Sequence, residues 1–299
     1  MAGGGAAIEA LGDGWCPAAE RTARESVNRL VADIEAFQRE SALDRVVVVN
    51  VASTEPQCET GEATQDLEIL ERHLDSAEPN SFRPGTLYAY AALQSRAAFV
   101  NFTASTSCLC PAIEQLARNR GVPYFGNDGK TGETLVKSGL APLFRLRRLE
   151  VLSWIGYNVL GNRDGRVLAA DENKKSKIGT KDAVVPSILG YPLRTHVGID
   201  YVESLGDNKV AWDYVHFRGF LGHPMAMQFI WQGCDSILAA PLVIDLVRFA
   251  DHALQRGESG PMRHLASYFK SPIHVTEHDL YRQFEWLLDY ARSHAQQSR

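Results

Sequence analysis

Arg45-Val46-Val47-Val48-Val49-Asn50 is an unbroken β-branched run, of the kind found in parallel strands covered on both faces. An amphipathic helix precedes it, because Val27, Leu30, Val31, Ile34 and Phe37 recur at helical spacing and form one apolar stripe. A polar turn, Ser53-Thr54-Glu55-Pro56, follows. Beyond it the pattern predicts helices around Asp66–Leu74 and Pro84–Ser95, a buried strand at Ala98–Phe102, a helix at Pro111–Arg120 and a short strand at Val122–Phe125. Strand alternating with helix predicts an α/β fold, a partial Rossmann-like doubly wound parallel sheet with its ligand crevice at the carboxyl ends of the strands. Val46–Val49 reads as an interior strand with only a Gly/Ala-rich tail and one helix before it, so upstream sequence or another subunit is expected to cover its free edge.

After about residue 148 the rhythm changes. Glu150–Leu160, Arg194–Ser204, Tyr214–Leu221 and Met225–Trp231 read as strands with few helices between them, an α+β layer. Helices return at Ser236–Arg256, near His264–Phe269 and at Glu277–Ser293. The expected organisation is a flexible tail over 1–20, an incomplete Rossmann-like domain over 21–134 and 236–299, and an α+β catalytic and oligomerisation domain over 135–235.

Composition narrows the function classes. The 299 residues are 45% hydrophobic and 22% charged with a formal charge of -5, a globular balance that argues against nucleic acid or an anionic membrane as a partner held by bulk charge. The longest apolar run, Ile237–Ile244, contains Pro241 and falls short of the roughly 18 residues of a membrane span. No basic-plus-apolar leader opens the chain, so a cytoplasmic location is expected. Five cysteines without repeated spacing read as reduced thiols, with Cys108 and Cys110 as small buried residues.

The segment richest in chemistry is Phe125-Gly126-Asn127-Asp128-Gly129-Lys130-Thr131-Gly132-Glu133-Thr134. It runs from a strand into a helix, where glycines admit close backbone approach and a helix start favours anions. Gly129-Lys130-Thr131 resembles the end of a P-loop, but Tyr124 stands where that motif needs its first glycine. The segment is therefore read as a cradle for phosphate or a similar anion, or as a capped turn. Asn158–Gly165 is turn-rich, and Lys174-Lys175-Ser176-Lys177-Ile178-Gly179-Thr180-Lys181 is a solvated loop or an anion clamp, with Lys177 and Lys181 on one face of a helical turn. Asp235 begins a helix, as an N-cap would. His274-Val275-Thr276-Glu277-His278 fits a zinc-peptidase pattern, yet Thr276 with Asp279 reads as a capping box that leaves His274 ahead of the helix, so no metal is expected.

Together these stretches, with Val51-Ala52-Ser53-Thr54-Glu55, Pro84–Ala89, Gly206-Asp207-Asn208-Lys209, Asp235–Pro241 and Lys270-Ser271-Pro272, resemble the inositol-3-phosphate synthase (myo-inositol-1-phosphate synthase) family over roughly residues 22–295. The resemblance implies an isomerase converting D-glucose 6-phosphate to 1D-myo-inositol 3-phosphate, with NAD retained through oxidation at carbon 5, proton loss at carbon 6, aldol closure and re-reduction. It also implies a homo-oligomer, a tetramer built through the 135–235 layer. By motif position Lys177 would shuttle the proton, assisted by Asp128, while Lys209 and Lys270 steady oxyanions. Thr131, Gly132, Glu133, Thr134 and Lys181 would hold the phosphate. Ala52, Ser53, Thr54, Thr103, Asn162, Asp164, Asp235 and Ser236 would lie along NAD. The family's opening strand and glycine-rich NAD turn have no counterpart before residue 45, the same gap that the free edge of Val46–Val49 exposes. Two alternatives follow: a sugar-phosphate-binding or assembly subunit without NAD turnover, or a related cyclase acting on another sugar phosphate.

Overall fold

The structure, a computed structural model, describes residues 20–55, 61, 64–77, 81–168 and 184–297. The chain packs as two units, one formed by the chain up to Asn127 with Val243–Met262, the other by Asp128–Leu242 with Arg263 onward.

In the first unit α1 (Ala23–Glu40) leads to β1 (Val47–Asn50), followed by α2 (Leu67–Ser76), α3 (Pro84–Gln94), β2 (Ala98–Asn101), α4 (Pro111–Arg120) and β3 (Tyr124–Gly126). Local chemistry sets the helix ends. Asp66 accepts from the Glu68 amide at 2.8 Å to start α2, Pro111 opens α4, and Gly121 closes it in the left-handed region at φ 68°. The three strands are parallel in the order β1-β2-β3, with Val48 opposite Phe99 and Phe99 opposite Tyr124. β2 is the centre and is wholly buried, whereas Val47, Val48 and Val49 are half-buried because β1 is an edge strand of the described sheet. The strand with the most uniform apolar sequence thus lies at an edge of the described sheet. Gly126 is required by close approach, since a Cβ there would lie 2.6 Å from the Asn101 carbonyl oxygen.

The second unit holds α5 (Glu133–Leu146), β4 (Glu150–Leu160), α6 (Arg163–Leu168), α7 (Val184–Leu189), β5 (Arg194–Tyr201), β6 (Asn208–Arg218) and β7 (Pro224–Cys234). α8 (Asp235–Gln255) begins in this unit and ends in the first, and α9 (Leu280–Gln297) closes the described chain. The sheet order is β5-β4-β6-β7, with β4 parallel to β5 and both other pairings antiparallel. Its inner face packs on α5 and α7 through Phe144, Val151, Trp154, Val185, Ile188, Val215 and Phe217. Phe144 meets Trp154 and Phe217 edge-on, with centroids 6.0 and 5.0 Å apart, each such pair adding about 0.5–1.5 kcal/mol beyond burial.

Two expectations are corrected. The strand placed at Tyr214–Leu221 begins at Asn208 and ends at Arg218, because pairing with β4 and β7 on both sides carries polar residues into it. Phe220–Gly222 forms a tight turn in which Leu221 takes φ 55°. The last helix starts at Leu280 rather than Glu277. Its cap is Asp279, which accepts from the Tyr281 amide at 3.0 Å, so both histidines of the His274–His278 pattern precede the helix.

Candidate active site

The second unit gathers most of the lysines and acids singled out by sequence. Asp128 leaves the first unit's last strand with φ 60°, a conformation Asp tolerates. The segment Asp128–Lys130 then runs antiparallel to Tyr268–Lys270: the Lys130 amide donates to the Tyr268 carbonyl at 2.8 Å, and the Lys270 amide to the Asp128 carbonyl at 2.7 Å. This pairing sets Lys270 Nζ 2.6 Å from Asp128 Oδ1, both side chains buried. Lys177, which the expectation joined to Asp128, lies outside the described residues.

Gly132 then caps α5. A Cβ at Gly132 would come 3.2 Å from Lys209 Nζ, so the glycine makes room for an ammonium group beside the start of the helix. Lys209 also donates to Asp235 Oδ1 at 2.6 Å, which joins β6 to the first residue of α8. Thr134, one turn into α5, is buried, and its Oγ1 has no hydrogen-bond partner among the described residues. An ammonium, a helix start and a buried hydroxyl without a described partner are groups that can donate to an anion.

Beneath the cradle lies a layer that sequence reading did not assign. Lys137, one helical turn after Glu133, lies 2.5 Å from its Oε1 and 3.5 Å from Asp213 Oδ1 on β6. Asn158 Nδ2 on β4 donates to Glu133 Oε2, and Trp154 Nε1 donates to Asp213 Oδ1 at 2.7 Å. Burial raises the Asp213 carboxyl to about 6, against the pull of Lys137 and with the push of the Glu133 charge. Glu133, expected among the phosphate ligands, therefore has its carboxylate engaged by Lys137 and Asn158. Its link to an anion is its place in the first turn of α5.

Lys130 is also buried, and its Nζ donates to Gln283 Oε1 at 2.8 Å on α9. Burial first, and then the Lys270 charge, lower it to about 7. The sequence offered two clues to these missed groups: Glu133 and Lys137 are four apart on a helix, and Asp213 is the one acid in the inward row Lys209, Ala211, Asp213, Val215, Phe217.

The remaining candidates are distributed as follows. Asn162 Oδ1 accepts from the Gly165 amide at 2.9 Å and caps α6. Gly161 abuts Gly206, where a Cβ would lie 2.5 Å from the Gly206 carbonyl oxygen, so two motifs far apart in sequence are brought together. Ser236 follows Asp235 in the first turn of α8. Ala52, Ser53 and Thr54 follow β1, and Thr103 follows β2, at the carboxyl ends of the first unit's parallel strands. There the Ala52 amide donates to Asn50 Oδ1 at 3.1 Å, and Thr103 Oγ1 accepts from the Ser105 amide at 3.3 Å. Lys177 and Lys181 lie outside the described residues, as does the side chain of Asp164. Among the described residues no group of three His, Cys, Asp or Glu could hold a metal ion, and no helix is long and apolar enough to cross a membrane.

An NAD-binding family model described as Myo-inositol-1-phosphate synthase matches residues 12–292. The chain belongs to this family. Inositol-3-phosphate synthase 1 of Bacteroides thetaiotaomicron is 36% identical over 281 residues, which are 90% of this chain and 66% of that protein. The Saccharomyces cerevisiae inositol-3-phosphate synthase is 32% identical over 235 residues, 74% of this chain and 43% of the yeast protein. The chain thus spans about two-fifths to two-thirds of the length of these curated relatives. Among solved structures, the inositol-3-phosphate synthase of Caenorhabditis elegans superposes with a TM-score of 0.83 at 26% identity, covering 92% of this chain and 58% of that one. A myo-inositol-1-phosphate synthase-related protein of Thermotoga maritima superposes with a TM-score of 0.78 at 29% identity, covering 90% and 70%. The mixed α/β fold with Rossmann-like parallel strands is that of the family.

Proposed function

We propose that this chain is an isomerase that closes D-glucose 6-phosphate to 1D-myo-inositol 3-phosphate, with NAD as its cofactor. The observation that carries this reading is the cradle at the start of α5, where Lys209 Nζ stands over Gly132 and the buried Thr134 hydroxyl has no hydrogen-bond partner among the described residues. Such a set suits a phosphate monoester.

Four of the eight residues expected along NAD, Ser53, Thr54, Thr103 and Ser236, carry hydroxyls. Ser53, Thr54 and Thr103 offer hydroxyls at the carboxyl ends of β1 and β2, where open α/β sheets bind such groups. When bound, NAD supplies hydride acceptance and return. This chain's own side chains do the rest. Thr131, Gly132 and Thr134, with Lys209 and Lys181, hold the phosphate. Lys270, steadied by Asp128, and Lys209 stabilise negative charge on substrate oxygens as a proton leaves the neighbouring carbon. Lys177 is the proton shuttle.

The family resemblance supports a homotetramer, and the outer face of the second unit's sheet favours such association. Tyr157, Trp212 and Ile230 form a row across β4, β6 and β7, with Tyr157 stacked on Trp212 at 6.2 Å and Ile230 65% exposed. We place the enzyme in the cytoplasm.

The test incubates the purified full chain with NAD and carbon-13-labelled glucose 6-phosphate and follows the products by mass spectrometry and NMR. Labelled inositol phosphate is expected. Binding of glucose 6-phosphate without turnover would instead support a sugar-phosphate-binding or assembly subunit, which the free edge of β1 favours. Turnover only of another hexose phosphate would support a related cyclase.

A further inference from the structure

Under the cradle, Lys137 stands between Glu133 and Asp213, and all three side chains are 3% exposed or less. The sheet makes space for them deliberately: Gly156 of β4 lies opposite Asp213 of β6, and a Cβ there would meet Glu133 Oε1 at 2.5 Å, Asp213 Oδ1 at 3.0 Å and Lys137 Nζ at 3.1 Å. The charged groups facing Asp213 are Glu133 and Lys137 of α5, and β4 contributes the neutral Trp154 N–H. Asp213 Oδ2 has no hydrogen-bond partner among the described residues, so no donor on that oxygen stabilises the charged form.

We propose that Asp213 is a positioning residue for the anion cradle, acting through Lys137: while Asp213 is protonated, Lys137 is held by Glu133, and when Asp213 ionises, it competes for that ammonium, the layer gains a negative charge and the cradle loses affinity. The inference rests on the reading of the α5 start as a phosphate site. Glu133 stands in the first turn of α5, where its uncompensated charge would repel a phosphate; the Lys137 pair removes that repulsion. Asp213 competes for the same ammonium. Raising the pH through about 6 deprotonates it and sets a second carboxylate beside Lys137. Asp213 touches no ligand itself; it sets the charge beneath one.

Two readouts test this. The Trp154 indole N–H resonance, assigned with Trp154→Phe, reports the proton on its Asp213 acceptor directly; it should titrate near pH 6 in the wild type and stay flat in Asp213→Asn. The dissociation constant of inorganic phosphate is then measured from pH 5 to 8 in both proteins. The phosphate's own titration cancels in the ratio of the two constants. That ratio should move in favour of Asp213→Asn by about tenfold across the range, the size expected when the added charge acts on the anion through a well-screened separation. An indole resonance that does not titrate overturns the proposal, as does a ratio that is constant with pH. Should the wild type bind no phosphate at any pH, the cradle reading fails as well, which separates the two claims. If Asp213→Asn does not fold, Glu133→Gln serves in its place, because it removes the second charge and should likewise flatten the phosphate profile.

Discussion

Replacing Gly156 by alanine tests the packing beneath the cradle with a single methyl group. The position lies in β4 with extended backbone, which alanine adopts freely, so the effect is steric. The new carbon would sit 2.5 Å from Glu133 Oε1, 3.0 Å from Asp213 Oδ1 and 3.1 Å from Lys137 Nζ. None of these groups can swing into solvent, since each is at most 3% exposed. Overpacking alone costs about 1–3 kcal/mol, and pushing one member out of a buried pair costs about 3–5 kcal/mol. Partial displacement should therefore destabilise the second unit by about 3 kcal/mol. Gly139→Ala, within α5, is the control: its nearest neighbour would be Leu280 Cδ2 of α9 at 3.8 Å, an ordinary van der Waals contact. Alanine there should stabilise by about 0.5–1 kcal/mol, because glycine weakens a helix interior. Urea unfolding followed by tryptophan fluorescence measures both. A loss below about 1 kcal/mol at Gly156, or the same sign at both glycines, would refute the reasoning.

Further outcomes are expected. Lys209→Met removes the ammonium beside Gly132 and should lower kcat/KM for glucose 6-phosphate more than about 100-fold, with loss of phosphate binding visible by calorimetry. Lys177→Ala should abolish most turnover in the mass-detected assay while leaving phosphate binding partly intact; an active variant would overturn the proton-shuttle role. Lys130 has a folded-state value of about 7 against an ordinary 10.5, so the folded chain binds fewer protons than the unfolded chain between those limits. Stability should accordingly rise with pH from about 7 toward 10.5, and Lys130→Met should flatten that rise in urea midpoints taken at pH 7, 8 and 9.5.

The sequence made the first unit legible because its signals are local. A β-branched run, an apolar helical stripe and Pro111 at a helix start each depend on neighbours within a turn or two. The anion cradle was legible for the same reason, since Gly132 and Thr134 belong to one strand-to-helix passage. The network under it was not. Lys137 looks like a solvated helix residue and Asp213 like a strand interruption until β4, β6 and α5 stack and Gly156 opens the space between them. The start of β6 was misplaced for a related reason, because Asn208 and Lys209 have little strand preference and are drawn into the sheet by partners on both sides. Lys130 shows a third limit: nothing near it in sequence points to Gln283, 153 residues away, to which its ammonium donates.

A crystal structure of the protein with glucose 6-phosphate bears most directly on the central claim, that the start of α5 and the lysines around it are one phosphate-binding site. The account predicts the phosphate group within hydrogen-bond distance of the Thr134 hydroxyl and the Lys209 ammonium, with Lys270 and Asp128 facing the sugar. A phosphate bound elsewhere, with Thr134 Oγ1 still without a partner, would contradict it.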